Sequence, residues 1–197
     1  MKCSVILVNA YKMFQICDES LKIMHVNSQF PGSTHDAYIW NQSNISYMMQ
    51  KLFEHDNNNN FFLLGDSGYP LRPWLITPLK NPEPGTAAER FNRQFTSVRS
   101  KIEQCNGVLK NRFRCLLKHR VLHYKPIKAA RIVKACVVLH NICIDQRIPE
   151  PYRDDDILNA DFCVESNIPA YVENAAGNVH LHAGRELRLR IINNHFN

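Results

Sequence analysis

The feature that most constrains this chain is a run of apolar residues stepping by three and four. Phe91, Phe95, Val98, Ile102, Cys105, Leu109, Phe113 and Leu116 line one stripe. That period predicts a long amphipathic helix that must bury this face against other elements. Thr86, three residues before Glu89, supplies a capping-box start. Gly107 lies inside the helix and weakens it.

The rest of the pattern is mixed. Lys12–Asp18 and Leu21–Val26 read as two strands joined by the turn composition Asp18-Glu19-Ser20. A single helix is predicted from Ala37 to Phe53. Phe61-Phe62-Leu63-Leu64 is a short apolar run ending in Gly65-Asp66, the pattern of a buried strand emerging at a sheet edge. Pro70, Pro73, Pro78, Pro82 and Pro84 argue against regular structure in the following stretch. Pro126 opens a second helix that runs to about Ile144. After Pro149 the composition changes, and Asp154-Asp155-Asp156 begins a tail with little core, partly disordered, with a short helix over Arg185–Ile192. The division expected is 1–148 and 149–197. The fold class is α/β.

Composition excludes several classes. No stretch reaches the length of a membrane span. The apolar part of Ser4–Ala10 is too short for a signal peptide and is broken by Asn9. The seven cysteines include no Cys-x-x-Cys pair, so free thiols are expected rather than a disulfide framework or zinc site. The nearest helical pair, Cys136 and Cys143, is read as core packing.

Charge is concentrated. Between Arg90 and Lys134 there are 13 basic residues and one acid, Glu103, a local charge of +12 in a chain of net +6. Such a field suits a polyanion such as DNA, through Arg99, Lys110, Arg112, Arg114 and Lys118. A solvated helix face is the alternative. Three carboxylates stand out by position: Asp36 before a helix, Asp66 after the apolar strand, and Glu103 in the basic helix. Carboxylates from strand ends and a helix can hold the paired Mg²⁺ or Mn²⁺ ions of a phosphodiester nuclease. Each has a plainer role open to it. Asp36 can cap its helix, Asp66 can form a turn with Ser67-Gly68, and Glu103 can pair with Arg99.

In order along the chain stand Pro31-Gly32-Ser33-Thr34-His35-Asp36, Leu63-Leu64-Gly65-Asp66-Ser67-Gly68-Tyr69-Pro70-Leu71, Thr77-Pro78 and Phe91-Asn92. Arg99-Ser100-Lys101-Ile102-Glu103, Gly107 to Phe113 and Leu139-His140-Asn141 complete the series. This series resembles the DDE superfamily endonuclease domain of PIF/Harbinger transposases and the nuclease-like proteins derived from them. The resemblance implies a ribonuclease-H-like mixed sheet flanked by helices. It also implies a divalent metal, Mg²⁺ or Mn²⁺, with Asp36, Asp66 and Glu103 as ligands and catalytic residues. The family's first Asp lies on an upstream strand in a Val-Asp-Gly-Thr-like segment. Nothing from Met1 to Tyr11 resembles that segment, so the domain is expected to be incomplete at its N-terminus, its first strand missing. Asp18, in the hairpin turn, is not a substitute.

Two functions follow from the resemblance. One is a metal-dependent nuclease acting on DNA by a two-metal mechanism, its activity reduced or lost. The other is an inactive transposase relic that binds DNA or protein. A gene-model fragment is a third reading. The resemblance further implies a nuclear location, with the cytoplasm second, and a Myb-like DNA-binding partner protein. No membrane association is expected.

Overall fold

The predicted amphipathic stripe is α3, Ala87–Arg112. The computed structural model describes residues 2–8, 11–31, 33–55, 61–117, 124–151 and 175–197. The polyacid run and the rest of 152–174 therefore lie outside the described residues, as do Gly32, Asn57–Asn60 and Lys118. Only half of the expected capping box forms. The Glu89 N–H donates to Thr86 Oγ1 at 3.3 Å, while the Glu89 carboxylate turns forward to Arg93 at 2.7 Å. The helix stops at Arg112, earlier than its apolar period. Phe113 leaves helical geometry, and a single 3-10 turn, Arg114–Leu116, carries Leu116 into the core.

The other elements are β1 (Lys2–Val8), β2 (Tyr11–Cys17), β3 (Ile23–Pro31), α1 (Asp36–Asn41), α2 (Asn44–His55), β4 (Leu63–Leu64), β5 (Leu75–Ile76), α4 (Pro126–Asp145) and α5 (Ala175–His195). They form a mixed α/β chain of two compact units, divided within β1 after Lys2 and within α3 after Ser100.

The first unit combines Lys2, the described part of His35–Ser100, and α5. Here β4 pairs in parallel with β5, and Lys2 of β1 pairs in parallel with Leu64. The expectation that the first strand is missing is corrected by β1, whose sequence contains no acidic residue. A second correction concerns the proline-rich stretch, which contains β5. The strand survives between Pro73 and Pro78 because β4 supplies the donors. The Leu63 and Gly65 N–H groups donate to the carbonyls of Trp74 and Ile76, both at 2.9 Å, and a carbonyl needs no proline N–H.

The single helix expected over Ala37–Phe53 is two. Ser43 ends α1 by donating to the Trp40 carbonyl at 2.7 Å and starts α2 by accepting from the Ser46 N–H. A serine hydroxyl competes with helical hydrogen bonding in this way. The C-terminal helix is also longer than the Arg185–Ile192 segment expected. It buries Ile192 with Leu71, Ile76, Phe91 and Phe95. Arg188 donates to the carbonyls of Thr77 and Pro78. Gly184 permits the approach, because a Cβ there would stand 2.9 Å from the Arg72 carbonyl carbon. Gly184→Ala is expected to cost about 1–3 kcal/mol by overpacking against rigid backbone. Hydrogen exchange of α5 checks this; unchanged protection would contradict the close packing.

The second unit contains the β2–β3 antiparallel hairpin, the C-terminal part of α3, and α4. The hairpin was expected from Lys12 to Val26, and its turn works as read. Asp18 Oδ1 accepts from the Ser20 and Lys22 N–H groups, both at 2.9 Å. That carboxylate is spent on its own turn. The core joins Met13, Cys17 and Ile23 to Ile102, Cys105, Leu109 and Leu116, and to Val133, Cys136 and Val137 of α4.

The Leu139-His140-Asn141 motif fastens α4 to this hairpin. Asn141 brackets Ile23, accepting its N–H at 2.9 Å and donating to its carbonyl at 2.8 Å. His140 Nε2 lies 2.8 Å from the Leu21 carbonyl. A carbonyl can only accept, so Nε2 carries the proton. Burial lowers the His140 pKa below the ordinary imidazole range and keeps the ring neutral. Among the described residues, no helix is long and apolar enough to cross a membrane.

Candidate active site

Asp36 and Asp66 come from different elements of the first unit and meet over Gly68. Asp36 occupies the first turn of α1, where exposed N–H groups favour a carboxylate. It is not the cap: His35 holds that position, and no side chain caps the helix. Asp66 stands two residues past the end of β4. Gly65, fixed by its hydrogen bond to Ile76, aims the chain out of the sheet there. The Gly68 N–H donates to Asp66 Oδ1 at 2.8 Å. The turn role open to Asp66 is therefore real, and it leaves Oδ2 for other work.

Gly68 makes the meeting of the carboxylates feasible. A Cβ on it would lie 3.1 Å from Asp66 Oδ1 and 3.2 Å from Asp36 Oδ2. The two oxygens are thus no farther apart than the sum of those distances, 6.3 Å. The two carboxylates supply hard oxygen donors of the kind Mg²⁺ takes, since it is commonly held by one or two carboxylates with water and phosphate completing its shell. Among the described residues, no group of three His, Cys, Asp or Glu side chains gathers as a metal site.

Arg99 was assigned to DNA in the sequence, but it is directed at Asp66. Its Nη2 stands 3.8 Å from Asp66 Oδ2, and both side chains are partly buried. Among the described residues the Arg99 Nε is buried with no hydrogen-bond partner. The guanidinium acts as a nearby positive charge rather than a bidentate clamp.

The remaining predicted residues are spread differently. Glu103 is exposed and belongs to the second unit. Lys110 is only 8% exposed, so it is not the surface phosphate contact expected; its position falls on the helix side that packs in the core. Arg112 donates to the carbonyls of Ile148 and Pro149, tying down the chain after α4. Arg114 is exposed on the 3-10 turn. Sequence reasoning missed the structural use of Asn92, which brackets Leu79 by accepting its N–H and donating to its carbonyl, both at 2.9 Å. A polar residue inside an apolar helix stripe was the available signal.

Comparison with known proteins decides the family. The family model described as DDE superfamily endonuclease matches residues 8–141. The chain belongs to this family. It is 38% identical over 140 residues to the human protein named "Putative nuclease HARBI1", covering 70% of the chain and 38% of that protein. It is 41% identical over 132 residues to the mouse protein of the same name, covering 66% and 36%. It is 26% identical over 142 residues to "Protein ALP1-like" of Arabidopsis thaliana, covering 66% and 34%. The chain thus spans less than two fifths of the length of these relatives. No solved structure matches it.

Both carboxylates of the pair, Gly68, Arg99 and Glu103 lie within the stretch matched to the DDE endonuclease family. So do the two asparagine brackets.

Proposed function

We propose that the chain carries a degraded centre of a metal-dependent DDE nuclease, acting on the phosphodiester bonds of DNA. The observation that carries this reading is the Asp36–Asp66 pair over Gly68, within a DDE endonuclease match. Asp36 and Asp66 would hold a divalent cation, Mg²⁺ or Mn²⁺. Glu103 is the third ligand by its place in the family pattern. When bound, such cations activate water and offset charge on the leaving oxygen. The protein's own part is to fix the carboxylates. The Gly68 N–H holds the rotamer of Asp66, and Arg99 offsets the repulsion between two anions. Exposed cations, among them Arg114, Lys128, Arg131 and Lys134, would supply phosphate contacts. The mixture of an antiparallel β2–β3 pair with parallel β4–β5 pairing supports the ribonuclease-H-like reading.

A second reading is a DNA- or protein-binding module without catalysis. It is favoured by β1, Lys2–Val8, whose sequence carries no Asp or Glu. Groups that act as a unit lose far more than their share when one is removed, on the order of a thousandfold or more in rate. The expected result is weak Mn²⁺ binding and little nicking of supercoiled plasmid by the purified chain. Asp66→Ala should remove the binding. Robust nicking that both Asp66→Ala and Glu103→Ala abolish would refute the loss of activity and restore the full nuclease reading. Absence of Mn²⁺ binding by the intact chain would leave the binding-module reading alone.

A further inference from the structure

We infer that Cys115 and Cys136 form an oxidisable dithiol, which a peroxide converts into an intramolecular disulfide. The two lie 21 residues apart in sequence, and their sulfurs are 4.0 Å apart. Both belong to the second unit, and the site is separate from the carboxylate pair.

The surroundings give the two thiols different roles. Cys115 sits exposed on the 3-10 turn Arg114–Leu116, open to a small oxidant. Cys136 is buried on α4, at 6% exposure. Burial first, and then the neighbouring Cys115, pushes the Cys136 thiol up to about 12. Cys136 therefore stays protonated and screened, and Cys115 meets the oxidant first. The turn is not a wandering loop, because Leu116 and Leu117 on either side of its end are almost fully buried. A disulfide needs sulfurs ~2.05 Å apart, so the pair must close by about 2 Å. A torsional change of the exposed Cys115 side chain supplies motion of that size.

The reaction balances with one peroxide. The Cys115 thiolate attacks a peroxide oxygen and the O–O bond breaks. The departing hydroxide takes up a proton as water, leaving a sulfenic acid on Cys115. Cys136 then attacks that sulfur, the S–O bond breaks, and the oxygen leaves as a second water with the Cys136 proton. The two thiols together lose two electrons and the peroxide gains them. The chain's other described thiols are less suited to this role. Cys17 and Cys105 are both fully buried, and a hydrogen bond with the neighbouring Cys17, together with burial, raises the Cys105 thiol well above the ordinary range. Cys143 is partly exposed, on α4 beyond Cys136.

The test treats the whole reduced chain with a slight excess of hydrogen peroxide, blocks remaining thiols, and maps peptides without reduction. The expected product is one linked peptide joining Cys115 to Cys136, formed at protein concentrations too low for dimerisation and reversed by dithiothreitol. Cys136→Ser should leave Cys115 as a sulfenic acid that dimedone traps. Cys115→Ser should slow peroxide consumption at least tenfold. Because the wild-type map stands alone, a variant that folds poorly does not obscure the answer. A wild-type map in which Cys115 stays free, joins a second chain, or pairs with another cysteine overturns the inference.

Discussion

Asn141→Ala is expected to destabilise the chain by about 2–3 kcal/mol, an unusually large effect for a partly exposed polar residue. The side chain holds both backbone groups of Ile23, at 2.9 and 2.8 Å. Alanine removes both partners at once and leaves a donor and an acceptor facing a helix. Each such loss costs roughly 1–3 kcal/mol when buried, and the lower end applies at partial burial. For a chain of this size the melting temperature should fall by roughly 5–10 °C. Thermal and urea unfolding measure it. A loss below about 0.5 kcal/mol would show that water replaces the bracket at little cost. The adjoining His140 acts in the same direction, since its Nε2–H and the Cys105 thiol both point at the Leu21 carbonyl. Leu21 itself has a positive φ of 66°, a strained conformation that these contacts help to hold.

Gly68→Val should weaken Mn²⁺ binding at least tenfold while leaving the fold intact. The site is tight: the first added carbon would stand 3.1 Å from Asp66 Oδ1 and 3.2 Å from Asp36 Oδ2, so both carboxylates must shift to admit it. Valine's further methyl groups must push the carboxylates apart or cover them. Disturbing the groups that orient metal ligands typically costs 10–100-fold in affinity. Gly68 is itself exposed, so the substitution opens no core cavity. Titration calorimetry with Mn²⁺, together with circular dichroism of the variant, separates loss of the site from loss of the fold. Equal affinity in wild type and variant would mean that the cation is held elsewhere and that the pair over Gly68 is a structural turn.

Much of the fold was legible because local physics decides it. The stripe from Phe91 to Leu109 needs only helical period and burial. Pro126 starts α4 as its fixed φ dictates. Asp18 folds its own hairpin turn from neighbours two and four residues away. Where prediction failed, a competing local bond or a distant partner intervened. Ser43 broke a helix that its apolar period would have continued. The short strand β5 formed in a proline-rich stretch because another strand supplied the hydrogens.

The sequence by itself determined the helices, the hairpin, the family pattern and the absence of an acid before Asp18. These depend on the order and spacing of residues, which are local. The tertiary structure alone decided what each polar side chain does. It turned Arg99 toward Asp66, buried Lys110, and committed Arg112 to the carbonyls of Ile148 and Pro149. It brought Cys115 beside Cys136 across 21 residues of chain. It also set Asp36 against Asp66 across a glycine that is neither residue's neighbour in a helix or strand. The reason is physical. A charge or thiol acts over a few ångströms of space, and only the packing of apolar faces fixes which groups share that space.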